Sequence, residues 1–456
     1  MTLLVIDWGS VGIKTLQFIL SFSILVTLHE LGHFLTARWF KCRVEKFYLF
    51  FNPWFSLFKK KVGDTEYGIG WVPFGGYVKI SGMIDESMDK EAMKLPPQPY
   101  EFRSKKAWQR LIIMTAGVIV NVLLAIVIFI GITWKWGDEY LPGKNMTWGV
   151  VADTLAQKIG IQSGDKIVAV DTTEVADFFT LPRSIILDEA TSLTVDRNGT
   201  IKNIPLTKEF IQELNRNKFE GFVEIRIPVI VDSIEEDKAH FLDKTNKLQK
   251  GDTLVGLNGI AFRYYDQLDS LRKQYKGQEV TITALRGNDT VRIRAKLDTA
   301  GKVGFDPVNA MDSLFKGKTV KKEYTFAESV PVGFTKCFAT LGRYIAGLRQ
   351  IFAGNISAKD SLGSVISIGN TFPGVWDWQR FWMLTAIFSI ILAFMNILPI
   401  PALDGGHALF TIYEMITGRK PSDKFMEYAQ MVGMVLLLGL MAYALGLDFW
   451  RTFFKH

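Results

Sequence analysis

The chain has 456 residues, which at roughly 150 residues per domain makes about three folding units and more than one buried core. Hydrophobic residues make up 48% against 22% charged, with 34 Phe and 12 Trp, a balance that excludes fibrous and disordered classes and puts a membrane protein first. The 53 Lys and Arg exceed the 46 Asp and Glu by a formal +7; the excess suits a lipid bilayer with anionic headgroups, and with no nucleic-acid motif beside it no nucleic-acid partner is expected.

In chain order, residues 15–37 come first, apolar and long enough to span a bilayer but carrying Glu30 between His29 and His33. The stretch runs on into HELGHFL without a small-residue cleavage site, so it reads as a retained anchor and not a signal peptide. Residues 111–134 hold no charge over 24 positions, which at about 1.5 Å per residue crosses a hydrocarbon core of about 30 Å. Residues 381–398 and 431–447 are charge-free spans as well, with Trp382 and Trp450 as interfacial anchors. Arg38, Lys41, Arg43 and Lys46 follow the first span, and Arg103, Lys105, Lys106 and Arg110 precede the second. The positive-inside rule therefore makes that loop cytoplasmic, puts both termini outside, and leaves the long segment between spans two and three extracytoplasmic.

That segment repeats itself. IQSGDKIVAVDTTEV (161–175) lies over LQKGDTLVGLNGIAF (248–262), with Gly164-Asp165 and Gly251-Asp252 spaced by 87, and LTVDRNGT and ITALRGNDT match again downstream as strand, Arg, turn. Two copies of one small β-rich domain are expected. After them, residues 331–352 put Phe334, Phe338, Leu341, Ile345, Leu348 and Phe352 on one helical arc with Lys336 and Arg343 opposite, a pattern that suits an interfacial amphipathic helix and also a helix packed on a core. Cys42 and Cys337 lie in no C-x-x-C pair, which gives no thiol-based metal or redox site.

His29-Glu30-Leu31-Gly32-His33 is H-E-x-x-H. The spacing puts two imidazoles on one helix face where both can bind one Zn²⁺, with Glu30 able to act as general base on the bound water. Ionisable groups inside a span are costly unless they face the protein interior and serve a purpose. A catalytic zinc needs a third protein ligand and an open position. The best donor is Asp404, which follows a helix break at Pro399 and Pro401 at the end of span three, with His407 as a competitor. Spans one and three run in the same direction, so the depths of these residues agree. A non-catalytic scaffold predicts a missing ligand, and a zinc transporter predicts polar residues on spans two and four; neither pattern is seen.

HELGH (29–33), VPFGGYVKISG (72–82) and NILPIPALDGGH (396–407), with the two Gly-Asp repeats between spans two and three, resemble the site-two protease family over nearly the whole chain. The arrangement is similar to the regulator-of-sigma-E branch with tandem PDZ domains. The resemblance implies zinc held by His29, His33 and Asp404, water activated by Glu30, the substrate backbone contacted by Asn396, and a membrane-associated β-hairpin over 66–82. Gly68, Gly70, Gly75 and Gly76 interrupt an alternating apolar run there, and the strand edge at Gly75, Gly76 and Tyr77 could take an extended substrate by β-addition. Where the branch often carries Gly-Pro before the third span, this chain reads Leu362-Gly363-Ser364-Val365-Ile366.

The expected fold is thus a polytopic α-helical membrane protein with four transmembrane helices, a membrane-associated β-hairpin and two extracytoplasmic PDZ-like domains. Its expected parts are 1–140 (spans one and two, H-E-x-x-H and the hairpin loop), 145–221 and 222–300 (PDZ-like), 301–380 (linker with amphipathic helix) and 381–456 (spans three and four with the LDGG motif). The expected function is zinc-dependent endoproteolysis of single-span membrane substrates in the bacterial cytoplasmic membrane, near their cytoplasmic ends. Pre-cleaved anti-sigma factors or signal-peptide remnants are the substrate types implied, and a non-catalytic PDZ-bearing scaffold is the alternative.

Overall fold

Four apolar segments form helices long enough to cross a membrane, at the four places expected from the sequence. The computed structural model describes residues 8–83, 96–217, 221–234, 240–243, 246–308, 314–315, 317–354, 359 and 363–454. It divides into two units, residues 1–137 with 323–349 and 361–456, and residues 138–322 with 350–360.

In the first unit the long helices are α1 (Trp8–Trp39), α2 (Ala107–Trp136), α4 (Trp378–Ile397) and α6 (Asp423–Phe454), with α3 (Phe326–Phe352) and α5 (Asp404–Thr417) between them. Helices suit lipid because they satisfy every backbone group internally. α2 is central and packs on α1, α4 and α5. Small and hydroxyl residues make the contacts. A Cβ on Gly32 would meet the Ala116 carbonyl oxygen at 2.7 Å, so that glycine lets α1 and α2 close up. Ser21 and Thr385, both fully buried, share a hydroxyl hydrogen bond of 2.9 Å between α1 and α4. Ser389 donates to the Asn121 carbonyl at 2.7 Å.

On α3 the arc of Phe334, Phe338 and Ile345 is exposed, while Gly333 and Cys337 are buried, Gly333 against Ile130 of α2. Leu341 of the same arc packs inward with Cys337, and Tyr344 lies against Phe394 of α4, so one side of α3 packs on the other helices and Phe334, Phe338 and Ile345 face outward. In α6, Asp448 is buried and accepts from the amide and hydroxyl of Ser364 (2.9 and 2.5 Å) and of Ser367 (3.2 and 2.7 Å). It thereby satisfies the amino end of the short helix Val365–Asn370. Ser364 stands in the stretch that lacks the Gly-Pro pair.

The loop between α1 and α2 differs from the expected hairpin. Strands β1 (Val44–Phe51), β2 (Phe58–Val62), β3 (Thr65–Ile69) and β4 (Val72–Ile80) form one sheet in the order β2-β3-β1-β4. The two arms expected over 66–82 do not pair with each other, because β1 lies between them, parallel to β3 and antiparallel to β4. The chain crosses the end of β1 at Gly70, where a Cβ would come within 2.2 Å of the Phe51 carbonyl oxygen. A glycine read as a break in a hairpin is the point that lets the chain step over a third strand. β4 registers Tyr77 on Tyr48 and Gly76 on Leu49, then bulges to pair Val72 with Phe51. Tyr77 stacks on Tyr48 at 5.3 Å and donates to Asn52 Oδ1 at 2.9 Å.

The second unit contains two β-rich modules, each with its own hydrophobic core. In the first, β5 (Lys166–Val170), β6 (Thr173–Glu174), β7 (Ser192–Arg197) and β8 (Thr200–Pro205) run in the order β8-β7-β5-β6. The second has β9 (His240–Phe241), β10 (Thr253–Leu257), β11 (Ile260–Ala261), β12 (Glu279–Arg286) and β13 (Asp289–Lys296) in the order β9-β13-β12-β10-β11. The common order of four strands shows the repeat in three dimensions, and the details repeat with it. The Gly-Asp pairs put Asp165 and Asp252, each 1% exposed, under a bidentate guanidinium from Arg197 (2.7 and 2.7 Å) and Arg286 (2.8 and 2.7 Å). Each Asp also accepts an amide three residues upstream, from Gln162 and Gln249, at 2.9 Å. Pairing the buried charge in this way offsets its desolvation.

Candidate metal centre

His29 and His33 stand one turn apart on α1, 7% and 6% exposed, with ring planes at 79° and centroids 4.8 Å apart. Asp404 is the first residue of α5. It reaches them through the turn after α4, where Pro399 and Pro401 supply no N–H and Ala402 takes a left-handed φ of +79°. Leu403 N–H donates to the Ile400 carbonyl at 3.0 Å and closes the turn. A Cβ on Gly405 would meet the Leu398 carbonyl oxygen at 2.2 Å, and one on Gly406 the Ile400 oxygen at 2.6 Å. The two glycines of LDGG are therefore what lets α5 begin against the end of α4 with Asp404 inward.

Three donor atoms result. His29 Nε2 is 3.2 Å from His33 Nε2 and 3.2 Å from Asp404 Oδ2, and His33 Nε2 is 3.3 Å from the same oxygen. Among the described residues, His29, His33 and Asp404 are the group of metal-ligating side chains that converges. Asp404 Oδ2 is buried and within ion-pair distance of both imidazoles, yet makes no hydrogen bond, so the three atoms converge on one small volume. A tetrahedral ion with bonds of about 2.0–2.1 Å has face edges of about 3.3–3.4 Å. The triangle is such a face, and two nitrogens with one carboxylate oxygen suit a borderline divalent cation with its fourth position open.

The surroundings come chiefly from α2. His33 Nδ1 donates to the Ile113 carbonyl at 2.8 Å, which leaves the Nε2 lone pair for the centre. A Cβ on Gly117 would come 2.4 Å from His33 Nε2 and 2.7 Å from His29 Cε1, so the helix can lie against the imidazoles only because that residue is glycine. Asn121 meets His29 Nδ1 at 3.2 Å. Sequence reasoning missed both. The available signal was Asn121 as an amide within 24 charge-free residues, with a small residue one turn before it.

Glu30 is half-buried on α1 beside His29, and β4 reaches it through one residue. A Cβ on Gly76 would lie 3.5 Å from Glu30 Cγ and 2.8 Å from Val26 Cγ1. The other two edge residues behave differently: Gly75 lies against the Phe51 ring and the Tyr77 ring stacks on Tyr48 and Phe51. Asn396, near the end of α4, puts Nδ2 3.3 Å from His29 Nε2, at the rim of the donor triangle. His407 is outside the converging group and lines a separate cavity with Phe102, Arg110, Phe410 and Glu414.

The model of Peptidase family M50 matches residues 17–440, from α1 to within α6 and across every residue of the centre. The chain belongs to peptidase family M50. This is the site-two protease family expected from the motifs, and the protein is a metalloprotease. M50 relatives extend over almost its entire length. A protein of Neisseria meningitidis is 28% identical over 94% of this chain and 97% of its own, and one of Rickettsia conorii is 28% identical over 97% and 99%. Both bear the name "Putative zinc metalloprotease". Protease RseP of Yersinia pestis is 27% identical over 95% of this chain and 98% of its own.

Proposed function

We propose that this M50 metalloprotease is a zinc-dependent intramembrane endopeptidase that cuts transmembrane segments of single-span membrane proteins. The observation that carries the reading is the His29, His33 and Asp404 triangle with Glu30 beside it, the two histidines and Glu30 standing on a helix apolar and long enough to cross a membrane. The chemistry that a Zn²⁺ ion held by these three residues supplies is Lewis-acid polarisation of the scissile carbonyl and of a water molecule. Glu30 takes the proton of the attacking water and passes it to the departing amine nitrogen. Helical peptide bonds are shielded, so the substrate has to be unwound, and each unpaired amide in lipid costs several kcal/mol. The outer edge of β4 at Gly75, Gly76 and Tyr77 and the Asn396 amide are the groups that would pair with it, and the approach of Gly76 to Glu30 supports that assignment.

The flanking charges support an orientation with the centre toward the cytoplasm and the two β-rich modules outside, in a bacterial inner membrane. The modules would then act as PDZ-like filters that admit substrates trimmed of bulky outer domains, such as a pre-cleaved anti-sigma factor or a signal-peptide remnant. The test is cleavage of a single-span reporter by the purified full chain, with zinc content measured alongside. Glu30→Gln is expected to keep its zinc and lose cleavage, because this carboxylate is a base and not a ligand. Retained cleavage by Glu30→Gln overturns the mechanism, and a wild-type chain without zinc overturns the centre.

A further inference from the structure

Both imidazoles can present Nε2 to a metal only if the proton sits on Nδ1, and each Nδ1–H then needs an acceptor. For His33 that acceptor is fixed, because the Ile113 carbonyl 2.8 Å away can only accept. For His29 the polar group within reach of Nδ1 is the Asn121 amide at 3.2 Å. Asn121 is fully buried, its backbone is tied to α4 through the Ser389 hydroxyl, and its Oδ1 makes no hydrogen bond. An amide in the middle of an apolar span with its oxygen unused is costly unless it serves another group. Its two ends have the same shape, so a half-turn about the last side-chain bond exchanges NH₂ for oxygen without disturbing the packing.

We propose that Asn121 is a positioning residue for the metal centre: its Oδ1 accepts the His29 Nδ1 proton and thereby holds the Nε2 lone pair on the ion. With the NH₂ end toward Nδ1, the amide instead donates, and the ring proton moves to Nε2, where it blocks ligation. α2 then supplies the outer partner of both histidine ligands, a backbone carbonyl for one and a side-chain amide eight residues on for the other. The inference rests on the metal reading above.

The test measures zinc affinity of the purified full-length chain by competition with a chromogenic chelator, so it does not depend on cleavage. Asn121→Leu keeps the size and removes the acceptor, and Asn121→Asp keeps an acceptor. Leu is expected to weaken zinc by about 10- to 100-fold, the usual effect of losing an outer partner of a metal-bound histidine. Asp is expected to restore wild-type affinity or better it. Wild-type affinity in Asn121→Leu overturns the proposal. So does equal weakening in Leu and Asp when both unfold as cooperatively as wild type, because the residue then acts through packing alone. Should Asn121→Leu not purify as a folded protein, Asn121→Ala against Asn121→Asp makes the same comparison. A wild-type chain that binds no zinc sinks the metal reading and this inference together, whereas a zinc-binding wild type with indifferent variants sinks this inference alone.

Discussion

Gly117→Ala is the smallest change that reaches the metal centre without touching a ligand. The added Cβ would lie 2.4 Å from His33 Nε2 and 2.7 Å from His29 Cε1, against an ordinary contact of 3.4–4 Å. One ring or the helix has to give way by about 1 Å. The His33 ring cannot yield easily, since the Ile113 carbonyl holds its Nδ1 at 2.8 Å and the ring is 6% exposed in packed surroundings. Metal sites tolerate ligand displacements of about 0.2 Å, and a misplacement of about 1 Å in a reacting constellation costs about a hundredfold. Zinc affinity is therefore expected to fall by about a hundredfold or more, with cleavage falling in step. The assay is chelator competition on the full chain in detergent. Gly131→Ala is the control, because it lies on the same helix with nothing within 4 Å of the added methyl. Helix propensity favours alanine at both positions by about 1 kcal/mol, so a loss confined to Gly117→Ala isolates the steric term. Wild-type zinc affinity in Gly117→Ala would refute the geometry of the centre.

Asp404→Ala removes one of three donors, and its zinc is expected to be lost to a chelator that wild type resists; equal metal content would take Asp404 out of the ligand set. Both native cysteines are buried, so single cysteines at the exposed positions Lys60 and Thr200 can report orientation: Lys60→Cys is expected to react only from the cytoplasmic face and Thr200→Cys only from the other, and labelling of both from one face would overturn the charge-based topology. Arg286→Leu leaves the buried Asp252 unpaired and is expected to destabilise its module by about 3–5 kcal/mol, read as a lower Tm of the full chain. Burial pushes the Asp252 carboxyl up, but the Arg286 hydrogen bonds, the Gln249 amide and the Arg286 charge together hold it below the ordinary carboxylate value of 3.8. The clamp's contribution is then complete above about pH 4 and lost as pH falls through the depressed value in the folded state, so Asp252→Asn is expected to flatten the Tm profile in that range, and an unchanged profile counts against the clamp.

The residues of the candidate centre are legible in the sequence because the span around them makes them conspicuous. Glu30, His29 and His33 stand out in an apolar run, and Asp404 stands out after two prolines that end a helix. The repeat was legible too, since a bidentate Arg–Asp clamp needs the same residues in each copy. What supports the site was not. Gly117 and Gly131 lie on one helix in similar apolar sequence, and only the packing separates a glycine pressed against two imidazoles from one facing open space. The four-stranded sheet was read as a hairpin for a related reason. Strand pairing is non-local, and nothing near Thr65–Ile69 or Val72–Ile80 announces that Val44–Phe51, twenty residues upstream, lies between them.

The same distinction bears on how the centre is held. Three electron-rich atoms stand 3.2–3.3 Å apart, and the carboxylate oxygen makes no hydrogen bond that would explain its position. Helix packing brings them within that distance. The contacts that set the spacing are glycines in each case: Gly32 and Gly117 between α1 and α2, and Gly405 and Gly406 between α5 and the turn that precedes it. Each removes a Cβ that would separate two helices by a fraction of an ångström or more, and a metal face tolerates less than that. Helix packing can absorb such a shift by sliding along apolar surfaces, whereas a ligand triangle cannot. Substitutions at these glycines should therefore be felt in metal affinity before they are felt in stability, which is the order of effects expected of a centre preorganised by close helix contact.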